Sequence, residues 1–204
     1  MIVRGPSLAL RYATEADAPA LFELGRDPEV TRFFSWGPYE DVAEPLDYVH
    51  SLERQREAGE RLEFAIVDAG DRPIGVTGLS EFVRRDRRAI VGTWLGRAHW
   101  GSGANSESKA MILSLAFRTL GLLRATALAS PENERSIAAL VRLGFQHEGV
   151  LRGWHVHDGV PRDCAILRFT REDFEASELA GVRVEVEGEP PPGFVLRGPS
   201  RPAF

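Results

Sequence analysis

One cysteine, Cys164, occurs in 204 residues, which excludes an internal disulfide and any metal site built from several thiolates. One lysine, Lys109, is present, so nearly all of the 25 basic side chains are arginine. No basic tail exists, no Lys/Arg block exceeds Arg84-Arg85 with Arg87-Arg88, and the formal net charge is −5. Nucleic acid is therefore not an expected partner. No apolar run approaches the ~18 residues needed to cross a bilayer, and the opening MIVRGPSLALRY lacks the apolar core of a signal peptide. These absences lead us to expect a soluble, cytoplasmic protein with no membrane partner.

What is present is a chain long enough for one domain with a sizeable core. Ser7 to Tyr12 reads as a first strand, and Thr14-Glu15-Ala16-Asp17 as a capped helix start that Asp27-Pro28 ends. An aromatic stretch, Val30 to Tyr39, precedes a second helical pattern over Glu40 to Ala58, with Leu46, Val49 and Leu52 inward and Gly59 as its stop. Extended runs follow at Leu62 to Val67, Pro73 to Val83 and Ala89 to Leu95. Ile112, Leu113, Ala116, Phe117 and Leu120 form a helical stripe, and Arg124 to Ala129 is a short strand. Ser130-Pro131-Glu132 opens another helix that buries Ile137, Leu140 and Val141 and closes at Gly144. Two last strands, Val150 to His157 and Cys164 to Thr170, flank the turn Asp158-Gly159-Val160-Pro161. The order βαα-βββ-α-β-α-ββ predicts a mixed α/β (α+β) domain over residues 1–176 rather than a doubly wound nucleotide fold. Residues 177–204 are expected to be a loosely packed, Pro/Gly-rich C-terminal extension whose VRVEVE segment alternates like an edge strand.

The segment that carries chemistry is Trp100-Gly101-Ser102-Gly103-Ala104-Asn105, which follows a strand and runs into a helix. Free backbone N–H groups converge at such a helix start, and the helix dipole favours negative charge there. Two glycines allow the close backbone approach that a phosphate needs.

With that order in place, Val91 to Phe169 resembles the GNAT-type N-acetyltransferases, above all the branch containing ribosomal-protein N-terminal acetyltransferases. Five landmarks fall in the family's order: the strand ending Trp94-Leu95, the Trp-Gly-x-Gly loop, the Ala116-Phe117 helix, the Asn133-x-x-Ser136 pair, and Leu143-Gly144-Phe145 followed by Glu148-Gly149 and Leu151-Arg152. The resemblance implies a mostly antiparallel sheet with flanking helices and a V-shaped splay between two central parallel strands. It also implies acetyl-CoA as cofactor, with CoA as product and no metal. The diphosphate would rest on Trp100, Gly101, Ser102, Gly103, Ala104 and Asn105, and the pantetheine arm would lie in the splay beside Trp94 and Leu95. The family's loop usually begins with Gln or Arg, a place that Trp100 holds here.

Direct acyl transfer needs a neutral amine, a polarised carbonyl and a stabilised leaving thiolate. Many relatives protonate the thiolate with a tyrosine, but Leu140 stands at that place and no tyrosine occurs after Tyr48. The branch resembled implies Ser136 instead, with helix capping as the hydroxyl's other reading. Asn133 would bond the cofactor arm or cap the helix. For a general base the candidates are His155, its strand neighbour His157, Glu81 and Asp86; His155 matches a glutamate of the ribosomal acetylases. Glu148, Arg152 and Asp163 read as structural, and Cys164 as a small buried hydrophobe. Phe33, Phe34, Trp36 and Tyr39 could line the acceptor pocket or simply join the core. The chain is thus expected to acetylate a primary amine, either a protein N-terminus or a small molecule, as a monomer or homodimer. A non-catalytic CoA-binding module and a transferase of bulkier acyl groups are the alternatives.

Overall fold

The computed structural model describes residues 1–157 and 159–196. Asp158 of the expected turn and the Gly198-Pro199-Ser200 stretch lie outside the described residues. In chain order the elements are β1 (Ile2–Arg4), β2 (Ala9–Arg11), α1 (Ala18–Gly25), α2 (Pro28–Thr31), α3 (Ala43–Glu57), β3 (Arg61–Val67), β4 (Pro73–Val83) and β5 (Arg88–Leu95). They continue with α4 (Ala104–Ser114), β6 (Arg124–Ala129), α5 (Glu134–Arg142), β7 (Gln146–His157), β8 (Val160–Thr170), α6 (Arg171–Glu175) and β9 (Glu185–Glu187). The strands form one sheet in the order β7-β8-β6-β5-β4-β3-β2-β1-β9, antiparallel except for β5 and β6.

Local chemistry sets the helix boundaries. Thr14 and Asp17 close a reciprocal capping box ahead of α1. Asp27-Pro28 starts α2 rather than only ending α1: the Asp27 carboxylate accepts from the Glu29 N–H at 2.9 Å, and proline tolerates the first helical turn. Likewise α5 begins at Glu134, later than Pro131 suggested, because the Asn133 side chain accepts from the Ser136 N–H at 3.1 Å. Val141, expected inside, is 50% exposed.

Side chains alternate across each strand, so the sheet has two distinct faces. Leu95 and Val91 join the main core with α4, whose Met111, Ile112 and Leu113 are fully buried. Trp94 and Val76 point the other way and pack with Leu21 of α1 and Val49 of α3.

Residues 177–196 are not a loose extension. Phe194 is fully buried and meets the Phe82 ring edge-on at 4.8 Å, while the Leu196 N–H donates to the Leu120 carbonyl at 2.8 Å. The alternating VRVEVE segment does form an edge strand: β9 pairs with β1, a three-residue strand that composition alone did not mark. Burying large apolar groups such as Leu179 and Phe194 outweighs the ordering cost that the Pro/Gly content suggested.

Candidate active site

β5 and β6 hydrogen-bond only over Arg88–Ile90 and Arg124–Thr126. Yet β4 follows β5 out to Leu95, and β8 follows β6 out to Ala129. The sheet therefore opens between residues 91–95 and 127–129, leaving two main-chain edges facing one another with unspent donors and acceptors.

The glycine loop lies at the open end, after Leu95. Gly101 and Gly103 sit at φ +75° and +91°, the left-handed region that glycine enters without strain, and Gly103 occupies the N-cap of α4. Ser102 Oγ donates to the His99 carbonyl at 2.8 Å and accepts from Ala104 N–H at 3.3 Å. The N–H groups of Gly101, Ser102, Gly103, Asn105 and Ser106 have no partner among the described residues. The Trp100 side chain ties the loop down, its indole N–H donating to the Leu95 carbonyl at 2.8 Å. The Arg135 guanidinium stacks on that ring, 3.4 Å from its centroid, so α5 supplies a cation beside the loop. A cleft of ≈ 280 Å³ lies beside Trp100, lined by Arg32 and Arg135 but also by Glu29, Glu132 and Glu134, with Phe33 and Asn133. The loop thus presents an array of donors next to a fixed positive charge, which suits a diphosphate.

The profile of the acetyltransferase (GNAT) domain family matches residues 7–146, well over half of the chain. The chain belongs to the GNAT acetyltransferase family. The uncharacterized N-acetyltransferase p20 of Bacillus licheniformis is 35% identical over 82% of this chain and 94% of its own. The [ribosomal protein uS5]-alanine N-acetyltransferase of Escherichia coli K12 is 30% identical over 57% of this chain and 61% of its own. Among solved structures, the microcin C7 self-immunity acetyltransferase MccE, in complex with acetyl-CoA and AMP, shares the fold with a TM-score of 0.73. It is 20% identical and aligns over 81% of this chain and 93% of that one. Among the described residues of this GNAT protein no helix is long and apolar enough to cross a membrane.

Against this family frame, the structure distributes the expected residues unevenly. Ser136 is half-buried in the first turn of α5, just past the open end of β6, and its hydroxyl has no hydrogen-bond partner among the described residues. Asn133 is the helix cap. His155 is exposed on β7 opposite Arg162 of β8, three residues beyond Ala165, the partner of Ala129 at the end of β6. Its ring lies edge-on to Trp154, 6.5 Å away. Glu81 is not brought to this end. It lies exposed at φ +50° in the bulge between Ser80 and Val83, beside the closed, paired end of β5. Asp86 is at that same end, ion-paired with Arg85 at 2.9 Å.

The aromatic group divides. Phe34, Trp36 and Tyr39 form a ladder with centroid spacings of 5.2 and 5.1 Å, and Trp36 meets Trp94 at 5.3 Å. Phe33 turns away to the cleft beside Trp100. Hydrogen bonding from Arg124 holds the Glu148 carboxyl below the usual range, and the Gly153 N–H, with Arg152, does the same for Asp163. Burial pushes the Cys164 thiol up, as befits an inert side chain.

Two features escaped sequence reasoning. Arg135 reaches the loop only because α5 folds back across Trp100. Lys109 is 3% exposed, donates to Thr93 Oγ1, and is held by burial at a pKa of about 7.

Proposed function

We propose that this GNAT protein is an acetyl-CoA-dependent N-acetyltransferase that transfers acetyl directly to a primary amine. The observation that carries the reading is the gap: two strands parallel over three residue pairs and then apart, ending at a loop of unpartnered N–H groups. The N–H groups of residues 101–103, 105 and 106, helped by Arg135, would hold the diphosphate. The free edges at 91–95 and 127–129, with Trp94 and Leu95 on one side, would flank an extended arm rich in amides. Acetyl-CoA supplies the activated thioester carbonyl. Ser136, whose hydroxyl is uncommitted, would donate to the departing sulfur. Phe34, Trp36 and Tyr39 would line the acceptor side. The p20 and uS5-alanine relatives support amine acetylation as the chemistry, and both a protein N-terminus and a small amine fit the class.

Calorimetry of acetyl-CoA binding, together with CoA thiol release against an alanyl peptide, spermidine and an aminoglycoside, tests the reading. Gly103→Val forces a β-branched residue to φ +91° and fills the space above the N–H groups. An affinity loss of about tenfold or more is expected; unchanged affinity refutes the loop's role. Binding without thiol release on any acceptor would leave a CoA-binding module, and preference for a longer acyl chain would identify a bulkier donor.

A further inference from the structure

On the face of the sheet carrying α1 and α3, one carboxylate leans toward the gap. Register places Glu63 of β3 opposite Gly78 of β4, and Gly78 opposite Gly92 of β5. Directly opposed residues share a face. Trp94, two residues on from Gly92, packs on the α1/α3 side, which fixes that face for the whole row. A Cβ on Gly78 would stand 2.3 Å from Glu63 Cγ, so the glutamate stem occupies the space a side chain at 78 would need, next to β4 on the way to β5. Gly92 is exposed, and nothing lies within 4 Å of the Cβ it lacks. It is also two residues past Ile90, the last residue of β5 paired with β6. Glu63 thus lies over Gly78, and Gly92 leaves open space between it and the mouth of the gap.

Tyr48 of α3 donates its hydroxyl to one Glu63 oxygen, and the Arg61 guanidinium pairs with the other at 3.4 Å, so an incoming ammonium would share the carboxylate with Arg61. The Glu63 side chain is 16% exposed, so it is sheltered but reachable. Trp36 packs against both Tyr39 and Trp94, and Trp94 stands two residues on from Gly92. The Tyr39 phenol is pushed up to about 12 by burial and by the negative charge of Glu44 and Glu63. Aromatic faces beside a half-buried carboxylate attract an ammonium ion.

We propose that Glu63 binds the ammonium of the acceptor in the open space at Gly92 and takes its proton, so the acceptor is a cationic primary amine. This rests on the acetyltransferase reading above. The Glu63 carboxylate removes one proton from R–NH3+, and the freed lone pair forms the C–N bond to the thioester carbonyl carbon. The C–S bond breaks, the second nitrogen proton leaves on the thiolate as CoA-SH, and Glu63 returns its proton to water. Glu81, Asp86 and His155 are placed less well for this, the first two at the closed end and the third on an exposed hairpin.

The test compares wild type, Glu63→Gln, Glu63→Asp and Gly92→Val. Acetyl-CoA affinity and spermidine affinity are measured by calorimetry, and kcat/KM with spermidine, an alanyl peptide and aniline, the last already neutral at pH 7. For Glu63→Gln we expect kcat/KM with the cationic amines to fall about 100-fold. Spermidine affinity should fall about tenfold, acetyl-CoA affinity should stay within about twofold, and aniline should lose far less than the cations. Glu63→Asp should recover part of the loss, and Gly92→Val should raise the amine KM about tenfold. A folded Glu63→Gln within about threefold of wild type for the cationic amines overturns the proposal, as does an equal loss with aniline. If Glu63→Gln does not fold, unchanged amine kinetics in Glu63→Asp and Gly92→Val overturn it. Wild-type protein that releases no thiol with any amine overturns the acetyltransferase reading and this proposal together; wild-type turnover with an insensitive position 63 overturns this one alone.

Discussion

Replacing Lys109 by methionine should stabilise the protein and remove a specific dependence on pH. Lys109 is buried in α4 with no carboxylate paired to it among the described residues. Its amine donates to Thr93 Oγ1, which bonds Thr77 Oγ1 at 2.6 Å and the Gly92 carbonyl at 2.8 Å. Burial lowers its pKa from 10.5 to about 7. At 1.36 kcal/mol per pH unit, that gap corresponds to about 5 kcal/mol of cost for keeping the ammonium inside. Between pH 7 and 10.5 the unfolded chain holds a proton that the folded chain lacks, so this group makes stability rise with pH across that window. Below pH 7 both states are protonated, and the cost is present in full. Methionine fills similar volume without the charge and forfeits one hydrogen bond, worth about 1 kcal/mol. Lys109→Met should therefore gain about 2–4 kcal/mol at pH 7 in urea unfolding, and the advantage should shrink by about 2.5 kcal/mol between pH 6 and 9. All tyrosine and carboxylate titrations are common to both proteins and cancel in the difference. An advantage that is the same at pH 6 and pH 9 refutes the reasoning.

Ser136→Ala should lower kcat about tenfold or more while acetyl-CoA affinity stays within about twofold; equal losses in both would mark the serine as structural. Arg135→Ala should weaken acetyl-CoA binding several-fold in dilute buffer, with the difference shrinking in about 0.5 M salt, and a salt-independent loss would point to packing on Trp100 instead. His155→Ala should change kcat/KM by less than about threefold, because the ring is exposed on the hairpin; a loss of about 100-fold would restore it as the base. Phe194→Ala should cost about 3–5 kcal/mol in urea unfolding, since the ring is fully buried against Phe82; an unchanged midpoint would show the tail to be dispensable.

Local pattern was enough for much of this molecule. Apolar periodicity marked α3, α4 and the strands of the central sheet, because a face must turn inward at the period of its own backbone. The glycine loop was legible for a similar reason: the positive φ angles at Gly101 and Gly103 belong to the residue type, wherever the loop sits. Local pattern places the start of α5 a few residues early, at Ser130-Pro131-Glu132, and reads Asp27-Pro28 only as a stop, although the two residues together open α2. What no local pattern held was distance. The separation of β5 from β6 depends on partners more than 30 residues away. The place of Glu81 in a bulge beside the closed end of β5, and that of Glu63 opposite Gly78 and one strand from Gly92, follow from strand pairing that the sequence around them does not show. The burial of Lys109 and the docking of Phe194 arise in the same way. Backbone preference is written residue by residue, but desolvation and proximity exist only once remote segments have packed together.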